Sequence, residues 1–143
     1  MKLKKLLALL IVALMAVSFV ACGGGETSSS GETQTSEPKI TVEEFKAELK
    51  NLGIEGTESE TMYELVGATA GFKFTADDKT LELYTFDKDS DAYKNAEKDG
   101  KLTMESLGSE ITENVTVANG YAIILPTDFP QYDAVLALFN RLQ

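Results

Sequence analysis

Residues 6–20 form an apolar run broken only by Ser18, preceded by Lys2, Lys4 and Lys5 and followed closely by the lone Cys22. No other feature restricts the architecture of the chain as strongly. A positively charged start, a short apolar stretch and a small residue behind it have the layout of an export signal, whose residues take no part in a folded core. A helix spanning the roughly 30 Å of bilayer hydrocarbon needs about 20 apolar residues, so the run is too short for a membrane span, and cleavage is expected. Behind Cys22, residues 23–37 hold only Gly, Ser, Thr, Gln and Glu. Such a segment buries nothing and reads as a flexible tether ending at Pro38. The expected division is therefore residues 1–21 as signal, 22–38 as the modified cysteine and tether, and 39–143 as one folded unit, a length that can carry its own core.

Phe19-Val20-Ala21-Cys22, followed by Gly23-Gly24-Gly25, resembles the lipobox of bacterial lipoproteins, in which an aliphatic residue and two small residues precede the cysteine. Phe19 stands where Leu is usual and Val20 where Ala or Ser is commoner. The resemblance implies cleavage before Cys22, a diacylglycerol thioether on its sulfur, and attachment to the outer, extracytoplasmic face of the cell membrane. Each buried CH2 contributes about 0.8 kcal/mol, so two or three acyl chains hold where one is marginal.

Thirteen Lys and Arg stand against 23 Asp and Glu, a formal net charge of -10, and the chain has one Cys, no His and no Trp. Missing histidine removes His-based triads and His-ligated zinc, and a single cysteine removes disulfide frameworks and paired-thiol redox motifs. The acidic balance argues against nucleic acid, whose phosphates want clustered cations. It also predicts that anionic headgroups repel the folded unit, so that attachment rests on Cys22 alone.

Within residues 39–143 the hydrophobic period changes several times. Thr41-Val42-Glu43-Glu44 fits a capping box, and Val42, Phe45, Leu49 and Leu52 recur at helical spacing up to Gly53, predicting a helix over 42–52. A second, acidic at its start, is expected over 90–98 with Asp89 or Ser90 as cap and Gly100 as stop. A third follows Asp128 as cap and Pro130 early, with Val135, Leu138, Phe139 and Leu142 on one stripe. Between them Phe72 and Phe74 alternate with polar residues, Asp77-Asp78 offers a turn, and 80–86 continues as a strand. Asn119-Gly120 at the centre of 115–125 is a strong hairpin signal. Residues 63–66 and 102–107 are weaker strand candidates.

This order predicts an α+β fold in two layers, an antiparallel sheet with about three helices packed mainly on one face. It loosely resembles small α+β lipoproteins of Gram-positive anaerobes, a likeness that carries no catalytic motif.

Asp87-Lys88-Asp89-Ser90-Asp91 opens like a calcium loop, yet the sixth position, which needs Gly, is Ala92, and the twelfth, which needs Glu, is Lys98. A solvated helix start is the better account. Gly67-Ala68-Thr69-Ala70-Gly71 lacks the Lys-Ser or Lys-Thr of a phosphate loop and is followed by a strand pattern. Asn114-Val115-Thr116 has the form of a glycosylation triplet but lies behind a bacterial export signal. No nucleophile-elbow pattern occurs, and no carboxylate pair stands out from the many acidic residues. No metal, cofactor or catalytic residue is expected.

By alternation Val115, Val117, Ala122 and Ile124 share one side of the last hairpin and Thr116, Tyr121, Ile123 and Leu125 the other. If helices cover the first side, Tyr121, Ile123 and Leu125, joined by Tyr84 and Phe86, form an outward partner or ligand surface. The alternative is that a helix covers that side too. The expectation is a non-catalytic binding or accessory module at the cell surface, with a small carboxylate hydrolase, or a sensor or inhibitor domain, as alternatives.

Overall fold

The computed structural model describes residues 37–143 apart from Leu107. Cys22, the expected signal and residues 23–36 lie outside the described residues. Among the described residues the protein is α+β, with three α-helices and antiparallel sheets.

Helix α1, Val42–Asn51, begins as its sequence dictates. The Thr41 backbone N–H donates to the Glu44 carboxylate at 2.7 Å, and the Glu44 N–H donates to the Thr41 hydroxyl at 3.3 Å. Each group satisfies a donor that a helix start leaves without a partner. β1, Thr57–Glu60, follows, and then a 3-10 helix, Tyr63–Val66, replaces the expected strand there. Four residues between two chain reversals cannot extend, and Gly67 at φ 71° closes the turn.

β2, Ala70–Ala76, and β3, Lys79–Thr85, pair through a two-residue turn in which Asp77 and Asp78 both take positive φ. α2, Asp91–Asp99, is capped by the Ser90 hydroxyl, which accepts from Tyr93 N–H at 3.2 Å, and ends at Gly100. β4, Lys101–Ser106, and β5, Ser109–Asn114, form a separate two-stranded ribbon. β6, Thr116–Ala118, and β7, Tyr121–Ile124, are joined by Asn119-Gly120, with Ala118 opposite Tyr121 and Val117 opposite Ala122 as expected. α3 is Tyr132–Phe139. It starts after Gln131, not at Asp128, because Phe129 is drawn into the core and Asp128 pairs with Lys79 of β3 instead.

The main sheet has the order β1-β2-β3-β7-β6. α1 and α3 cover one face, where Phe45, Leu49, Val135 and Phe139 meet Phe72, Phe74, Leu81, Leu83 and Ile123. The other face is covered as well: Tyr93 and Ala96 of α2, Val66 and Leu102 of β4 close over Tyr84, Phe86 and Ala122. Two of the three helices thus share a face, but their absence from the other does not leave it open.

The two ends of the folded unit are fastened together. Ile40 N–H donates to Arg141 C=O at 2.9 Å, Gln143 N–H donates to Ile40 C=O at 3.2 Å, and the Arg141 side chain donates to Pro38 C=O at 3.0 Å. Asn119 and Tyr121 donate to the C=O groups of Leu142 and Gln143, each at 2.9 Å. Thr35–Gln143 is one compact unit.

Candidate functional site

The outward strip expected from the sequence does not exist. Tyr84 and Ile123 are each 1% exposed, Phe86 is buried, and Tyr121 and Leu125 are half-buried against the core under α1 and α3. Alternation along the last hairpin is as read, but β3 pairs with β7 so that Tyr84 lies opposite Ala122 and Leu83 opposite Ile123. Tyr84 and Phe86 therefore look toward α2, while Tyr121, Ile123 and Leu125 look toward α1 and α3. The five residues belong to two cores. Their burial follows from apolar area being removed from water on both sides of the sheet.

The Tyr84 hydroxyl carries the most organised polar group. It accepts from the Thr61 hydroxyl at 3.1 Å and donates to the Glu82 carboxylate, whose second oxygen meets Lys73 Nζ at 2.8 Å. Burial first, and the bond to Glu82 second, push the Tyr84 hydroxyl up to about 12. Gly71 lies against this group, and a Cβ there would stand 2.7 Å from Thr61 Cγ2 and 2.9 Å from the Leu83 C=O. Both Glu82 oxygens are engaged, so the cluster is built to hold Tyr84 in place between strands.

An open groove of about 750 Å3 runs between α2 and the β4–β5 ribbon. Its floor is the buried Val66, Ala96 and Leu102, and its rim is Asn95, Asp99, Lys101, Thr103 and Thr112, all exposed. Asn95 and Asp99 are four apart and so share one side of α2. Thr103 and Thr112 face each other across the ribbon with their hydroxyls 3.4 Å apart. An apolar floor under a rim of one amide, one carboxylate, one ammonium and two hydroxyls offers both donors and acceptors, a lining suited to a small polar ligand. A second groove, about 540 Å3, lies between α1 and the β1 end of the sheet, where Lys46 bridges to Glu58 and sits 4.5 Å over the Phe72 ring.

None of the rim residues was singled out by sequence. The signal that could have found them is the alternation of Leu102, Met104 and Ile111 about the turn at Gly108, which marks the ribbon; its polar residues hid it. The acidic stretch at 87–91 serves the start of α2, with the Asp87 carboxylate accepting from Asp89 N–H at 2.9 Å. Among the described residues no group of three or more His, Cys, Asp or Glu side chains could hold a metal ion, and no helix is long and apolar enough to cross a membrane.

Comparison with protein-family models, with curated proteins and with solved structures finds no match to the chain.

Proposed function

We propose that the chain is a lipoprotein anchored through Cys22 to the extracytoplasmic face of the membrane, whose folded unit is a non-catalytic module binding a small polar ligand between α2 and the β4–β5 ribbon. The groove carries this reading: its volume falls in the range of small-molecule sites, its floor is apolar, and its rim is mixed in charge. The anchoring half rests on the apolar run, the lone Cys22 and the apolar-free tether behind it.

Two measurements test the two halves separately. In the native envelope, wild-type chain should fractionate with membranes and gain the mass of its acyl groups, whereas Cys22→Ser should show neither; membrane attachment unchanged in Cys22→Ser would end the anchoring reading. For the groove, a panel of amino acids, short peptides and small saccharides is screened by thermal shift. A member that raises the midpoint of the parent should fail with Asn95→Ala/Asp99→Ala, and a shift that survives the double substitution places the ligand elsewhere.

A further inference from the structure

Three large apolar side chains are exposed among the described residues: Met62 at 71%, Ile111 at 47% and Leu65 at 43%. Two of them lie within one short segment and the third on the ribbon. Met62 and Leu65 belong to the 3-10 helix segment, which packs on β4. Ile111 stands on β5 opposite Met104, on the side of the ribbon that Leu102 turns toward Val66. β5 is exposed at all six positions and pairs only with β4. Every second residue of such an edge turns its N–H and C=O outward with no partner in the fold.

The charges around this edge have one sign. Glu64, Glu105, Glu110 and Glu113 are all exposed here, and Lys101 at the start of β4 is the one basic residue of the ribbon. Two copies pairing edge to edge would bring Glu110 and Glu113 of one against those of the other, which is destabilising. A surface of anionic headgroups is repelled by the same carboxylates. An extended segment with an apolar centre and flanking Lys or Arg meets every requirement at once: backbone groups for the edge, a side chain for Ile111, and cations for the glutamates.

We propose that the outer edge of β5, with the exposed Ile111 and the glutamates beside it, docks an extended basic segment of a partner protein as an added strand. Thr112 of β5 also lines the groove between α2 and the ribbon, but the edge does not use Asn95 or Asp99, so Asn95→Ala/Asp99→Ala tells the two readings apart.

The test uses 15N-labelled Thr35–Gln143, the compact unit, and two heptapeptides, one alternating Lys and Val and one alternating Glu and Val. Amide shifts confined to β5 and its partner strand β4 are expected with the Lys peptide, with affinity at least about ten-fold above that for the Glu peptide. Glu110→Lys/Glu113→Lys should reverse the preference, and Ile111→Thr should weaken the Lys peptide several-fold. Retained dispersion of the Leu83 and Ile123 amides shows that the variants fold. Equal affinity for both peptides, shifts located on α2 or α3, shifts of β5 that depend on protein concentration alone, or the same shifts with phosphatidylglycerol vesicles would each overturn the proposal.

Discussion

The Tyr84 side chain is buried between strands, and its hydroxyl's partners, Thr61, Glu82 and through it Lys73, come from the end of β1, from β3 and from β2 in turn. Tyr84→Phe removes the hydroxyl and leaves Thr61 and Glu82 short of a partner, which is expected to lower stability by about 1 kcal/mol in urea denaturation at neutral pH. The same group sets an alkaline limit. Its folded value, about 12, lies above the ordinary tyrosine value near 10, so its contribution is complete below pH 10 and fades as pH rises through 12. The difference between wild-type and Tyr84→Phe stability should therefore shrink across that window. Asp77 and Asp78 carry a different strain: both hold φ near +50° to +60° without the glycine that the equivalent Asn119-Gly120 turn has. Asp78→Gly should stabilise the protein by roughly 0.5 kcal/mol, relief of the left-handed conformation exceeding the entropy that glycine loses.

Capping decides where α1 begins. The Thr41 backbone N–H and hydroxyl hold the Glu44 carboxyl below the usual carboxylate range. A depressed group stabilises the fold above its unfolded value and loses that contribution as pH falls through its folded value. Glu44→Gln should therefore be less stable than wild type at neutral pH and converge with it in acid, as followed by helical circular dichroism. Thr41→Ala is expected to cost about 1 kcal/mol. The β4–β5 ribbon is a weaker element: two strands alone are marginal, and one of its strands is exposed throughout. In hydrogen–deuterium exchange its amides should exchange far faster than those of β2 and β3, which pair along seven residues at the centre of the sheet.

At the scale of the whole folded unit, residues 141–143 bind residues 37–40. Leu142 is fully buried next to Ile40, and the segment is gripped by the side chains of Asn119 and Tyr121. Leu142→Ala, one residue from the C-terminus of the sequence, should cost about 2 to 4 kcal/mol, as a central core truncation does. Arg141 reaches both the Pro38 C=O and the Glu37 carboxylate and so holds residues 37 and 38 against the C-terminal segment. With the anchoring proposed at Cys22, the tether would leave the domain beside this clamp.

Local codes explain what could be read without a structure. A capping box, the Ser90 cap, glycine stops and an Asn-Gly turn act over four residues or fewer, so α1, α2 and the β6–β7 hairpin were legible, and with them the α+β class and the antiparallel pairing. β1, with the residues Thr57-Glu58-Ser59-Glu60, and β5 carry almost no apolar side chains. They are strands because β2 and β4 offer them backbone partners, which no period in their own residues announces. The same holds for the surface. Alternation assigns Tyr84, Phe86, Tyr121, Ile123 and Leu125 to sides of strands, but only the packing of α2 and the ribbon on one face, and of α1 and α3 on the other, decides that both sides are covered. Sequence by itself set the local geometry and the proposed point of attachment; the tertiary structure decided what is exposed, because burial depends on which distant segments arrive to share a face.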